Sequence, residues 1–201
     1  MSPHNFLFFN ELPPDFDNGL AMIAVSTNSV FILLILTRAS FAAVYVTFLL
    51  NCVAILIWNG GDFMGLASAN PFWHYFSLIG VASIPAFMFH FINALVGSAK
   101  FRGRIITGYV LCLPLVFSSL LALWQPRIRP VVDGRLWDVW FLMLQVPYFA
   151  AGVFMLAKAI RTAKSRNERS RLRYILVAAC IACFAGTIDL LRILPLGHLG
   201  W

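Results

Sequence analysis

The chain has 201 residues, of which 61% are hydrophobic and only 11% are charged. A soluble domain is nearer half apolar and a quarter charged, so this composition excludes a soluble globular protein and predicts an integral membrane protein. The formal net charge of +7 would suit nucleic acid. The basic residues lie beside apolar segments, however, so we attribute the charge to loop asymmetry at a bilayer and expect no nucleic-acid partner.

The apolar segments are far longer than the strands of a β-barrel and do not alternate with polar residues, which indicates helices. We therefore predict an all-α membrane protein, a polytopic bundle of six transmembrane helices. An extracytoplasmic lead-in covers residues 1–18 and the bundle covers 19–201. The predicted spans are about 19–37, 41–64, 72–97, 105–124, 137–160 and 174–194.

The first two spans carry uncharged polar residues and are joined by a very tight turn at 37–40. Asn28 belongs to a polar run in the first span, and Asn51 lies near the centre of the second. Asn59 and Asp62 lie near the end of the second span. Intramembrane polar side chains normally face the interior of a bundle, so these residues are candidates for contacts between helices or with a ligand.

The segment 71–97 holds no Lys, Arg, Asp or Glu, yet its second half contains Pro85, His90 and Asn93. The proline removes a backbone hydrogen bond and tends to kink the helix. His90 could sense protons, bind a ligand or anchor a haem, or it could simply form a hydrogen bond between helices. We expect Pro85, His90 and Asn93 to serve packing or relay.

The second half of the chain also alternates apolar spans with connections that carry charged residues. A loop at 125–136 follows the fourth span, and the fifth span contains Gln145. The hydrophilic segment 161–173, RTAKSRNERSRLR, then precedes the sixth span. This basic segment could set the topology, bind anionic lipid headgroups or contact a cytoplasmic partner.

The positions of the basic residues orient the bundle. Eleven of the fifteen Lys and Arg residues fall on one side of the predicted spans, and seven of the eight acidic residues fall on the other. Because cytoplasmic loops carry the excess of Lys and Arg, the basic side is cytoplasmic and the N-terminus lies outside. Both termini of a six-span chain then lie outside.

Asp189 and Arg192 are three residues apart near the outer end of the sixth span and so share a helix face. They are either a local ion pair or part of an outward-facing pocket. The candidate ligand-binding residues of that pocket are Asn28, Asn51, Asn59, Asp62, Gln145, Asp189 and Arg192.

Enzyme signatures are absent from the sequence: it contains no HExxH, no GxSxG and no Walker loop. A b-type haem usually needs two axial histidines on facing helices, and the other three histidines lie far from His90's depth. We therefore expect no catalysis, no cofactor and no metal site within these residues.

The whole pattern resembles the seven-transmembrane N-terminal sensor region of bacterial histidine kinases. The resemblance lies in the outside N-terminus, the tight turn at 37–40 and a third span with a proline followed by a His-Phe pair, here Pro85, His90 and Phe91. The run RSRLRYILVAACIACFAGTIDLLRILP is similar to the family's entry into its sixth helix, with Asp189 at the acidic position.

The resemblance implies a multi-pass sensory module in the bacterial inner membrane, within a two-component receptor. Such a module would bind an unknown small or lipophilic ligand, contact the lipid bilayer and form a homodimer. Members of the family continue through a seventh span into PAS, GAF, kinase or cyclase-type output modules, whereas this sequence ends where that span would begin. The alternative is a small transporter or a structural subunit of a membrane complex. A transporter would favour repeats and mid-membrane charges, and we find neither.

Overall fold

The computed structural model describes residues 14–38, 42–68, 70–97 and 101–193, apart from the side chains of 14–18, 20–21, 38 and 181–193. All elements in this part of the chain are α-helices, and the predicted all-α membrane bundle is confirmed. The helices are α1 (Pro14–Arg38), α2 (Ala43–Ser68), α3 (Pro71–Val96), α4 (Arg102–Trp124), α5 (Arg129–Val132), α6 (Arg135–Thr162) and α7 (Arg166–Ile193).

Four of these helices, α2, α3, α4 and α6, are long and apolar enough to cross a membrane. In α1 the apolar stretch is shorter, Met22–Thr37. The count of six spans, the orientation and the lead-in at 1–18 stay predictions. Of the predicted turn at 37–40, residues 37 and 38 belong to α1, and residues 39 and 40 lie outside the described residues. Following the predicted orientation, we name the end of the bundle that holds Asn70 and Gln125 the outer end, and the end that holds Gly97 and Ala163 the cytoplasmic end.

The ends of α3 are set by local sequence. The Asn70 side chain accepts a hydrogen bond of 2.9 Å from the Phe72 amide, and Pro71 occupies the first turn, where a missing N–H costs nothing. Gly97 ends the helix with φ of 69°, a left-handed conformation that glycine adopts without strain. Asn-Pro and Gly therefore bracket a helix that contains Pro85 in its interior.

Helix α3 is the central helix of the bundle, since it contacts α2, α4 and α6. Helix α1 packs on α2, and α7 packs on α6. The approach of α2 to α3 is close: a side chain on Gly80 would overlap the backbone of Ala54 and Trp58, and one on Gly61 would overlap Ser77. Small residues of this kind allow the backbones of two membrane helices to approach each other closely.

The buried apolar side chains form two clusters that meet near the middle of α3. The outer core includes Tyr75, Leu78, Ala82, Ala86, Cys112, Leu115, Ala122, Leu123, Val132, Trp137, Phe141 and Leu144. The inner core includes Phe89, Ile92, Ile105, Phe149, Met155, Leu156, Ala163, Leu172 and Ala179. Tyr109 and Tyr148 pack against both clusters. Because Pro85 lies where the clusters meet, we call this level the joint.

The basic segment 161–173 is largely helical. Helix α6 continues to Thr162 and α7 begins at Arg166, eight residues before the predicted span start at 174. The Ser165 hydroxyl accepts a hydrogen bond from the Glu168 amide, and Glu168 in turn accepts one from the Lys164 amide. This pattern is a variant of the capping box that starts helices, and Arg and Lys are good helix formers. Hydrophilicity alone did not reveal this helix start.

Gly61 and its neighbour Gly60 provide a matched test of the α2–α3 contact. An added Cβ at Gly61 would lie 2.7 Å from the Ser77 Cβ, whereas one at Gly60 would meet nothing within 4 Å. We expect Gly61→Ala to lower the free energy of unfolding by about 1–3 kcal/mol, the usual cost of overpacking. Gly60→Ala should leave it unchanged or raise it slightly, because alanine favours helix. Unfolding in bicelles measures both, and equal effects of the two variants would contradict the proposed contact.

Candidate functional site

A polar network closes the outer end of the bundle. Asp133 directly follows α5, in the connection between α4 and α6, and its Oδ2 accepts a 2.9 Å hydrogen bond from the Tyr75 hydroxyl. Its Oδ1 lies 3.5 Å from Nε2 of His74. His74 and Tyr75 lie in the first turns of α3. One carboxylate thus ties the connection to the start of the central helix.

Arg129 adds a cation to the same network. Its Nε donates to the carbonyl of Ala122 at the end of α4, at 3.2 Å, and its guanidinium carbon lies 5.2 Å from the centroid of the Tyr75 ring. A cation over an aromatic face is attracted by the ring's negative potential. Tyr75 is therefore held at both its hydroxyl and its ring. We call Arg129, Asp133, His74 and Tyr75 the outer network.

The sequence of the connection explains why it folds over α3. Pro130 occupies the first turn of α5, where it needs no hydrogen-bond donor, and the Asp133 amide donates to Arg129 and ends the helix. Val132 and Trp137 are buried in the outer core. These two apolar anchors fix the connection, and Asp133 lies between them in sequence.

The joint holds a second set of polar contacts. His90 Nδ1 of α3 and the Tyr109 hydroxyl of α4 share a 2.8 Å hydrogen bond. The Tyr148 hydroxyl of α6 donates to the carbonyl of Arg104 at 2.8 Å, and its ring lies edge-on to Phe89. Tyr109 and Tyr148 thus link three helices on the cytoplasmic side of Pro85, and both pack against the two cores.

Three amide side chains bring buried acceptors into the bundle without a partner among the described residues. The atoms are Oδ1 of Asn51, Oδ1 of Asn93 and Oε1 of Gln145. An unpaired buried acceptor costs about 1–3 kcal/mol, which a donor from water or a ligand would recover. Gln145 follows Leu144 of the outer core and lies close to the joint in α6.

The predicted pocket residues on α1 and α2 fall into two places. Phe31 and Phe48 make a ring contact of 6.3 Å, and Asn28 and Asn51 are each three residues from these rings, so they lie at a common level of the α1–α2 interface. Asn28 donates to its own helix, to the carbonyl of Ala24. Asn59 likewise donates to Ile55, nearer the outer end, where Asp62 is half-buried.

The remaining predicted residues lie on other helices. Gln145 belongs to α6, and α3 stands between α6 and α2. Pro85 and Asn93 are buried in α3. Asp189 and Arg192 belong to α7, and their side chains lie outside the described part of the structure. Convergence of all seven predicted ligand residues on one pocket therefore stays a prediction.

Comparison with protein families decides the class of the chain. The model of the family described as the N-terminal 7TM region of histidine kinase matches residues 20–200. The chain belongs to this family. It is a multi-pass membrane region of the histidine kinase type. Regions of this family are sensory input domains and are not catalytic. No curated protein and no solved structure matches the chain.

Sequence reasoning missed the outer network of this sensor region. The sequence did not predict a partner for His74. The available signal was a run of charged residues, Arg129, Asp133 and Arg135, in a connection with a proline and a glycine. Sequence alone does not show that this connection folds back onto the start of α3, because that depends on the burial of Val132 and Trp137.

We expect the outer network to hold the connection against local opening. Tyr75→Phe keeps the ring beneath Arg129 and removes only the hydroxyl. A hydrogen bond to a charged group contributes about 1.5–3 kcal/mol when buried, and the Asp133 side chain is 48% exposed, so we expect about 1 kcal/mol. Amide hydrogen exchange over 126–134 should then be roughly fivefold faster in Tyr75→Phe and in Asp133→Asn. Tyr174→Phe, at an exposed tyrosine of α7, is the control and should change nothing.

A double-mutant cycle tests the link at the joint. His90→Leu and Tyr109→Phe each remove the shared hydrogen bond. Inter-helix hydrogen bonds in membranes average about 0.6 kcal/mol, so the two substitutions should couple by roughly that amount. Unfolding in bicelles gives the coupling, and the cycle of Tyr109→Phe with Tyr174→Phe should be additive. Additivity in both cycles would show that the His90–Tyr109 contact contributes nothing.

Proposed function

We propose that this region is the sensory input module of a two-component receptor in the bacterial inner membrane. It binds a small or lipophilic ligand from the outer side and passes a conformational signal to a cytoplasmic, kinase-type output domain. Membership of the histidine kinase 7TM family supports the class. The observation that carries the mechanism is the division of the core into two clusters that share α3.

The outer network is the element on which a ligand would act. Asp133 is held by His74 and Tyr75 at the start of α3, and its side chain is partly exposed. A ligand that competes for this carboxylate, or for Arg129 above the Tyr75 ring, changes the position of the outer half of α3. A ligand shifts an equilibrium only by its difference in affinity for the two states. Groups that are paired in one state and ligand-bound in the other supply such a difference.

The joint is the element that transmits the change. Pro85 lacks the N–H that would continue the helical ladder, so α3 bends at this level more easily than elsewhere. Tyr109 and Tyr148 pack against both cores. Tyr109 is hydrogen-bonded to His90 of α3, and Tyr148 donates to the carbonyl of Arg104 in α4. A shift of the outer half of α3 therefore reaches the inner core through these two tyrosines, and from there reaches α6 and α7.

The polar residues inside the bundle are the proposed contacts for the ligand itself. Asn51 and Gln145 offer buried acceptor oxygens that have no donor among the described residues, so they suit a ligand with O–H or N–H groups. Asn28 of α1 and Asn59 and Asp62 of α2 belong to the same proposed set. Asp189 and Arg192 of α7 complete the proposed set.

Kinase activity of the receptor that carries this module tests the proposal. Asp133→Asn and Tyr75→Phe should shift basal autophosphorylation in the same direction, by about fivefold for a shift of 1 kcal/mol between states. Tyr174→Phe should leave it unchanged. Adding Pro85→Ala restores a backbone donor at the joint and should reduce the effect of Asp133→Asn.

The hydrogen-exchange result makes a failure interpretable. If the outer variants loosen the connection over 126–134 but leave kinase activity unchanged, the outer network is structural and the proposed route is wrong. If Pro85→Ala leaves the effect of Asp133→Asn intact, transmission does not pass through the joint.

A further inference from the structure

The cytoplasmic ends of α3, α6 and α7 enclose a cavity of about 250 Å³. Leu95 and Val96 of α3 and Ile175 of α7 form apolar walls, and Ala159 of α6 adds a small side chain. Arg171 of α7 supplies a guanidinium. The lining is therefore amphipathic, with apolar groups from the ends of the helices and a cation beside them.

The charge around this cavity is strongly positive and largely unpaired. Segment 161–173 contains six cations and a single carboxylate, Glu168. Glu168 also lines the cavity, but it accepts a hydrogen bond from the Lys164 amide at the start of α7. A carboxylate at a helix N-terminus interacts favourably with the helix dipole, so it is already partly compensated.

Arg171 makes no hydrogen bond or ion pair with the described residues. Its neighbour Arg169 differs, because it donates to the carbonyl of Ala163 at the end of α6 and so serves the connection. Arg171 is thus a cation at the mouth of an apolar-walled cavity, and no role within the described fold engages it.

We propose that this cavity binds the headgroup of an anionic phospholipid. Its phosphate pairs with Arg171, and its acyl chain lies along Leu95, Val96 and Ile175. The guanidinium of arginine suits phosphate because it presents several donors in a fixed plane. The inference does not depend on the ligand-sensing proposal, since it concerns the opposite end of the bundle.

The apolar walls favour a phospholipid over the two other sources of anionic groups. A free phosphate would gain nothing from Leu95 and Ile175. A protein partner would have to present an anionic group with an apolar side chain beside it. An anionic lipid satisfies both the cation and the walls, and the cytoplasmic leaflet is where basic segments beside spans meet such lipids.

Native mass spectrometry of the 201-residue chain, released from vesicles of phosphatidylglycerol and phosphatidylcholine, tests the proposal. The wild type should retain phosphatidylglycerol in preference to phosphatidylcholine. Arg171→Gln should lower that preference about fivefold, as expected for the loss of one cation near an anionic surface. Arg171→Lys should keep most of it. Arg173→Gln is the matched control, because Arg173 is exposed in the same helix and does not line the cavity.

Three outcomes would overturn the proposal. Equal losses in Arg171→Gln and Arg173→Gln would mean that the basic surface attracts lipid without a defined site. Displacement of phosphatidylglycerol by excess inorganic phosphate would mean a phosphate site. Absence of any lipid preference in the wild type would assign these cations to topology or to a protein partner.

Discussion

Apolar side chains gain little by leaving lipid for a protein interior, so membrane helices associate where they can approach more closely than lipid allows. Gly61 and Gly80 create such a place between α2 and α3. This contact fixes one face of α3, and α4 and α6 cover the others. The central position of α3 follows, and with it the position of the outer network and of the joint, because both lie on this helix.

The two halves of α3 pack in different cores and make different contacts. Its outer half is packed by Leu78 and Ala82 and tied by Tyr75 to the connection between α4 and α6, whereas its inner half is packed by Phe89 and Ile92. Pro85 stands between them. Packed cores change between discrete arrangements more readily than they deform continuously. Two cores with a weakened backbone between them therefore suit the two positions of α3 that we propose.

The fold class was predictable because membrane helices can be recognised by their length and apolar composition. The family was predictable from residues such as Pro85 and His90 in the third span. The start of α7 was not, since charged residues at 166–173 read as a loop until the Ser165–Glu168 cap is seen. No residue of the outer network was predicted as a site residue, and at the joint Pro85 and His90 were singled out but Tyr109 was not. Tyr109 is an ordinary tyrosine in sequence, and only the packing of α4 on α3 brings it to His90.

The two ends of the bundle differ in how their charges are balanced. At the outer end, Asp133 is paired with His74 and Tyr75, and Arg129 contacts a ring and a carbonyl, so the charges of these two side chains have partners within the chain. At the cytoplasmic end, six cations face one carboxylate that already serves a helix cap. Side chains that are paired with one another can change partners when a ligand competes for one of them. Cations without a carboxylate partner in the chain instead interact with anions from outside the chain. We therefore propose that the outer end responds to a ligand and that the anionic groups of the membrane hold the cytoplasmic end.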